Sequence, residues 1–215
     1  MVSTLKVTKI QIPNSDSDVI SLDASSGNIT VPKPISFSGT VTGTAMVKLL
    51  DATISDTVSE YNIGSSIITS TYDNYRVIAD FMMDGEGRNL YIRAISGGTV
   101  LDSSVYAREN AALSSSTYDG SNSTSIWVVC NITAFGNASG EGISVAVDFF
   151  NMTTTTKPAS LTGRANSFNT SALHNSNVFG GVLLPTQVST VLDGIQFRPD
   201  TGNISSGRVK VYGIS

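Results

Sequence analysis

A single histidine, His174, restricts the chemistry open to this 215-residue chain. Any Ser-His-Asp arrangement would have to use it. Its neighbours, Ser171-Ala172-Leu173 and Asn175-Ser176-Asn177, read as a polar loop leading into Val178, and no Gly-x-Ser-x-Gly elbow precedes a helix. His174 therefore reads as a surface side chain. Zinc needs several Cys or His ligands, and His174 and the lone Cys130 do not supply them. Cys130 ends the apolar run Ile126-Trp127-Val128-Val129-Cys130. It reads as a buried structural thiol and has no second cysteine for an intrachain disulfide. Asp16 and Asp18 have a calcium-loop spacing, but the sixth position has no Gly and the twelfth holds Ser25. A solvated turn is the better reading. Glycoside hydrolysis asks for two carboxylates set across a sugar. Asp80, Asp84 and Glu86 cluster in sequence, and Glu141 and Asp148 flank a strand, but acidic residues beside turns ordinarily serve solubility. No Gly-rich phosphate loop is present. The chain is read as a non-enzyme with no cofactor and no metal.

Aromatic side chains are the remaining candidates for ligand contact. Trp127 lies inside an apolar strand and reads as core. Tyr106 and Tyr118 fall in the least decided stretch, Leu101 to Thr117 and just beyond, where exposed rings could stack on a glycan. Those two are the receptor-contact candidates.

Composition narrows the partners. Charged residues make up 14% of the chain, against roughly 25% in an ordinary soluble domain. Ser, Thr, Asn and Gly fill the polar positions instead, a composition common on extracellular and virion β proteins. Net charge is −4 and no Lys/Arg cluster exists, which argues against nucleic-acid binding. No stretch of 18 apolar residues occurs, so no membrane insertion is expected. The opening Met1-Val2-Ser3-Thr4-Leu5-Lys6 has no apolar signal core. The expectation is synthesis in a cytoplasm and export, if at all, by another route, of which cell lysis releasing assembled particles is one.

The elements that must position these residues are strands. Short apolar runs and period-2 alternation, broken by turn residues, extend from end to end. After Gly43 about ten strands are expected, from Met46–Ile54 to Arg208–Ile214. Turns fall at Asp84-Gly85-Glu86-Gly87, Gly97-Gly98, Asp119-Gly120-Ser121-Asn122 and Thr201-Gly202-Asn203. Within Leu101 to Thr117 the stretch Ala107–Leu113 is open between one or two helical turns and a long loop. The fold class expected is all-β: an antiparallel, jelly-roll-like sandwich over residues 44–215.

Residues 1–43 behave differently. Val19–Asp23 and Asn28–Val31 flank Ala24-Ser25-Ser26-Gly27 as a hairpin, and Pro32-Lys33-Pro34 is extended. The apolar positions include Leu5, Val7, Ile10, Ile12, Val31, Ile35 and Phe37. They are too sparse to offset the entropy of ordering the segment alone. It is expected to pack on other copies of itself or on a partner protein, with those seven residues carrying oligomerisation and docking.

Together Ser3-Thr4-Leu5-Lys6-Val7-Thr8-Lys9-Ile10, Leu22-Asp23-Ala24-Ser25-Ser26-Gly27-Asn28-Ile29-Thr30-Val31 and Phe37-Ser38-Gly39-Thr40-Val41-Thr42-Gly43 resemble N-terminal segments of tailed-phage fibre proteins. Tyr72-Asp73-Asn74-Tyr75-Arg76-Val77, Asp193-Gly194-Ile195-Gln196-Phe197 and Thr201-Gly202-Asn203-Ile204-Ser205-Ser206-Gly207 resemble a β-rich domain of tailed-phage virion appendages. So do Val47-Lys48-Leu49-Leu50, Leu90-Tyr91-Ile92-Arg93 and the closing Val211-Tyr212-Gly213-Ile214. The resemblance implies a homotrimeric virion protein that joins other virion proteins through residues 1–43. It implies attachment of the sandwich to a host-surface glycan or protein. The chain has almost no shaft, which favours a short fibre, a baseplate or tail-hub fibre, or a capsid-surface decoration; a short tail fibre leads. Capsid decoration or a head fibre without a receptor role is the alternative. A polysaccharide depolymerase is less favoured, because no β-helical repeat is present.

Overall fold

Strict alternation of side chains across a pleated strand decides this fold. Along Gly142–Phe150 the residues Ile143, Val145, Val147 and Phe149 are buried, while Ser144, Ala146 and Phe150 face outward. Along Asn74–Met83 the buried set is Tyr75, Val77, Ala79, Phe81 and Met83. Such strands can be satisfied only by a second apolar layer. The computed structural model describes residues 9–11, 18–22, 29–30, 46–113, 117–168 and 174–214. The chain divides into two compact units, Met1–Gly43 and Thr44–Ser215.

In the first unit β1 (Lys9–Gln11), β2 (Asp18–Leu22) and β3 (Ile29–Thr30) form a three-stranded antiparallel sheet in that order. Ser21 pairs with Thr30 and Leu22 with Ile29, the hairpin expected from the sequence. Ile10 lies in β1. Leu5, Val7, Ile12, Val31, Ile35 and Phe37 lie outside the described residues.

The second unit is an all-β sandwich. Its strands are β4 (Met46–Ile54), β5 (Tyr61–Ile63), β6 (Asn74–Met83), β7 (Arg88–Ser96), β8 (Thr99–Val100), β9 (Tyr106–Ala112), β10 (Thr117–Thr124), β11 (Trp127–Phe135), β12 (Gly142–Phe150), β13 (Ser160–Phe168), β14 (His174–Leu183), β15 (Gly194–Pro199) and β16 (Ile204–Ile214). One sheet has eight strands in the order β10-β9-β14-β13-β12-β6-β16-β4. The other runs β11-β7-β15-β5, with β8 paired to β7. All pairings are antiparallel among the described residues. The strand total exceeds the eight of a simple jelly roll.

Two stretches correct the sequence reading. Ala107–Ala112 is neither helix nor loop but belongs to β9, paired on both sides by β10 and β14. Asp119-Gly120-Ser121-Asn122 is not a turn but the middle of β10. A single 3-10 turn, Pro185–Gln187, is the only helical element among the described residues.

The core lies between the two sheets. Trp127 of β11 meets Tyr106 of β9 edge to face, with ring centres 4.8 Å apart. Phe81 of β6 packs on Phe197 of β15 at 5.3 Å. Each such ring buried stabilises the fold by about 1.5–3 kcal/mol. The indole of Trp127 lies where a side chain at position 181 would stand, so Gly181 lets β14 pass beneath it.

Candidate functional site

The face of the eight-stranded sheet turned away from the core carries the most distinctive surface. Antiparallel pairing aligns its outward residues into rows across the strands. One row runs Lys210, Ile78, Ala146, Arg164, Val178, Ala111 and Tyr118, fixed by the registers of six strand pairs. The next runs Arg76, Asp148, Thr162, Gly180, Glu109 and Gly120. Ala146 and Ala111 in the first row and Thr162, Gly180 and Gly120 in the second keep much of the backbone floor low, with Arg164 rising from the middle of the first. Taller groups stand beside it: Tyr118 is 64% exposed and Ile78 42%.

Three shallow basins follow this floor from the β10 edge inward. The first, about 400 Å³, is lined by Ala107, Glu109, Asn122, Gly180 and Val182 among others. The second, about 260 Å³, lies between Tyr118, Glu109, Thr162 and Val178. The third, about 390 Å³, lies between Thr162, Arg164, Ala146, Ile78 and the Arg76–Asp148 pair. Glu109 and Gly180 border both the first and the second, and Thr162 and Val178 border both the second and the third. The basins thus abut in one groove.

Its polar groups are positioned by the sheet. The Tyr118 hydroxyl donates to the Glu109 carboxylate, which pushes the phenol pKa up. The ring lies beside Gly120 of the same strand. Arg76 grips Asp148 across the strand pair through two bonds of 2.6 Å. Arg164, in the adjoining strand, is exposed and makes no ion pair among the described residues.

Tyr106 does not belong to this face. It is fully buried, its hydroxyl donating to the Leu101 carbonyl at 2.6 Å and accepting from the Ala94 amide at 3.0 Å. Burial pushes its phenol up to about 12. Its neighbours Ala107 and Glu109 point outward, so alternation turns Tyr106 into the core, and it is withdrawn as a receptor contact. Glu109, Arg164 and the glycine floor escaped the sequence reading because they converge only through cross-strand register. The one local signal was the outward alternation of Thr162, Arg164 and Asn166.

A second groove, about 380 Å³, opens at another part of the same face, around Asp80, Glu141, Ser144, Asn166, Phe168 and His174. Its acids are engaged by the scaffold. Ser144 donates to Asp80 at 2.6 Å, and the Ala138 amide donates to Glu141 at 2.7 Å. His174 begins β14 and sets its ring edge-on to Phe168. Elsewhere Asp84 accepts from Asn203, and Cys130 is buried beside Asn177. Among the described residues there is no group of three or more His, Cys, Asp or Glu suited to a metal ion. Nor is any helix long and apolar enough to cross a membrane.

No family model, no curated protein and no solved structure matches this chain.

Proposed function

We propose that this protein is a short, homotrimeric fibre of a tailed-bacteriophage virion, docking through residues 1–43 and presenting its sandwich to the host surface. The observation that carries the reading is the contrast between the two units. Among the described residues the first holds its own sheet of three strands with 3, 5 and 2 residues. Strands this short bury little apolar surface, so a covering partner would add stability. The second contains the main core cluster, whose buried residues fall between Ile54 and Val211. A small adhesive unit on a self-sufficient body is the logic of an attached appendage. The low-charge, Ser/Thr/Asn-rich composition and the sequence resemblance to phage fibre proteins add support.

Capsid decoration is the second reading. It is favoured by the direct succession of the two units in sequence, Met1–Gly43 and Thr44–Ser215. It uses the same trimer at a different address. A C-terminal label imaged on particles separates the two: tail-tip density supports the fibre, shell density the decoration.

The test of docking is removal of residues 1–43. The truncated chain is expected to stay folded and to be missing from particles, and normal incorporation would overturn the docking role. Native mass is expected to show three full-length chains per particle, and a monomer would overturn the trimer.

A further inference from the structure

We propose that the groove beside Tyr118 binds an oligosaccharide chain laid across the strands, with a carboxylate-bearing sugar over Arg164. This deepens the host-attachment reading and rests on it for biological setting, though not for its chemistry.

Three features of the groove select this ligand class. The first is shape. The groove crosses β10, β9, β14, β13, β12 and β6, six neighbouring strands in the sheet. At about 4.8 Å per strand step this is a track of roughly 24 Å. One strand step is close to the length of one sugar in an extended chain, and the abutting basins offer successive subsites. A folded protein partner would need a broader complementary surface than three abutting basins. An extended peptide would gain more from pairing with a sheet edge than from lying over a face whose backbone groups are already paired.

The second feature is the aromatic wall. Tyr118 presents a largely exposed ring at the mouth of the groove, beside Gly120 and tied to Glu109 through its hydroxyl. The apolar C–H face of a pyranose packs on such a ring while its hydroxyls reach polar groups alongside. Glu109 accepts from hydroxyls, and Thr162 and Asn122 both donate and accept. The glycines at 120 and 180 flank Glu109 on the neighbouring strands, so a sugar can approach its carboxylate from either side.

The third feature is charge. Asp148 is already engaged by Arg76, and Glu109 by Tyr118. Among the described residues Glu109 has a hydroxyl partner but no counter-charge, and the one cation lining the groove without an ion pair is Arg164. A sugar carboxylate matches it, and the guanidinium offers the two-pronged geometry that a carboxylate accepts.

The experiment uses the full chain on an array of acidic and neutral oligosaccharides. The array includes oligogalacturonates and alginate oligomers beside neutral galactan and dextran oligomers. Binding to uronate-bearing chains is expected. Tyr118→Ala is expected to weaken it tenfold or more, and Arg164→Ala to abolish the preference for acidic over neutral chains. Lys157→Ala, an exposed loop change, should leave binding unaltered, and thermal melts of all three should match the parent. Absence of binding to every glycan overturns the proposal. So does binding that survives both groove substitutions. A change in native mass on Tyr118→Ala, without glycan binding, would instead make this face a contact between copies, and also overturns it. A chain found on virions that binds no glycan sinks this inference alone. A chain that binds glycan but is absent from virions sinks the fibre reading alone.

Discussion

Tyr106 and Tyr118 sit twelve residues apart in one hairpin and face opposite ways. The hydroxyl of Tyr106 ties the Leu101 carbonyl and the Ala94 amide together inside the core. Tyr106→Phe keeps the ring against Trp127 but removes the oxygen that meets both backbone groups. Its expected cost is about 1–3 kcal/mol, the penalty for leaving buried polar groups unmet. Urea unfolding followed by Trp127 fluorescence measures it, and an unchanged midpoint would refute the bonding role. At Tyr118 no such cost is expected, because the ring is mostly in solvent.

Strand pairing explains both what the sequence disclosed and what it hid. β12 was legible because Ile143, Val145, Val147 and Phe149 alternate with smaller or polar residues. β9 was not. Tyr106-Ala107-Arg108-Glu109-Asn110-Ala111-Ala112 is rich in good helix formers, and hydrogen-bonded partners on both sides override that preference. β10 was hidden for another reason. Asp119, Gly120, Ser121 and Asn122 are turn formers, yet an edge strand needs few apolar residues, and its inward Asp119 is held by Arg108 at 2.5 Å. The other edge strand, β4, carries a testable electrostatic device. Arg208 donates to Asp51 at 2.9 Å and Lys48 at 3.2 Å. These bonds, Arg208's first, lower the Asp51 pKa from 3.8 to about 2. A carboxyl depressed on folding stabilises above its unfolded value and loses that contribution as pH falls through the folded one. The carboxyl signal of Asp51 should therefore titrate near pH 2, and Asp51→Asn should flatten the acid-side stability slope between pH 3.8 and about 2. A midpoint at the ordinary value would show that the pairing is absent in solution. The effect is small, since the group is exposed and salt-screened.

At the scale of the whole molecule, the division after Gly43 makes a thermal prediction. Because the main core cluster lies within Thr44–Ser215, the truncated chain should keep the principal melting transition of the full chain within a few degrees. Loss of that transition would mean that the leading residues complete the sandwich. The sandwich itself was readable from alternation and turn spacing. The groove was not, since no local pattern reports which residues of β10, β9, β14, β13 and β12 end up side by side.

The groove's floor and walls answer to different constraints. Gly181, on the face opposite the floor, is fixed by the indole beneath which it passes, whereas Tyr118 and Arg164 project into water and hold nothing up. Exchanging either is expected to shift folding by no more than about 0.5 kcal/mol. The side chains that line the groove can therefore be exchanged one at a time, re-addressing this surface while the architecture stays the same.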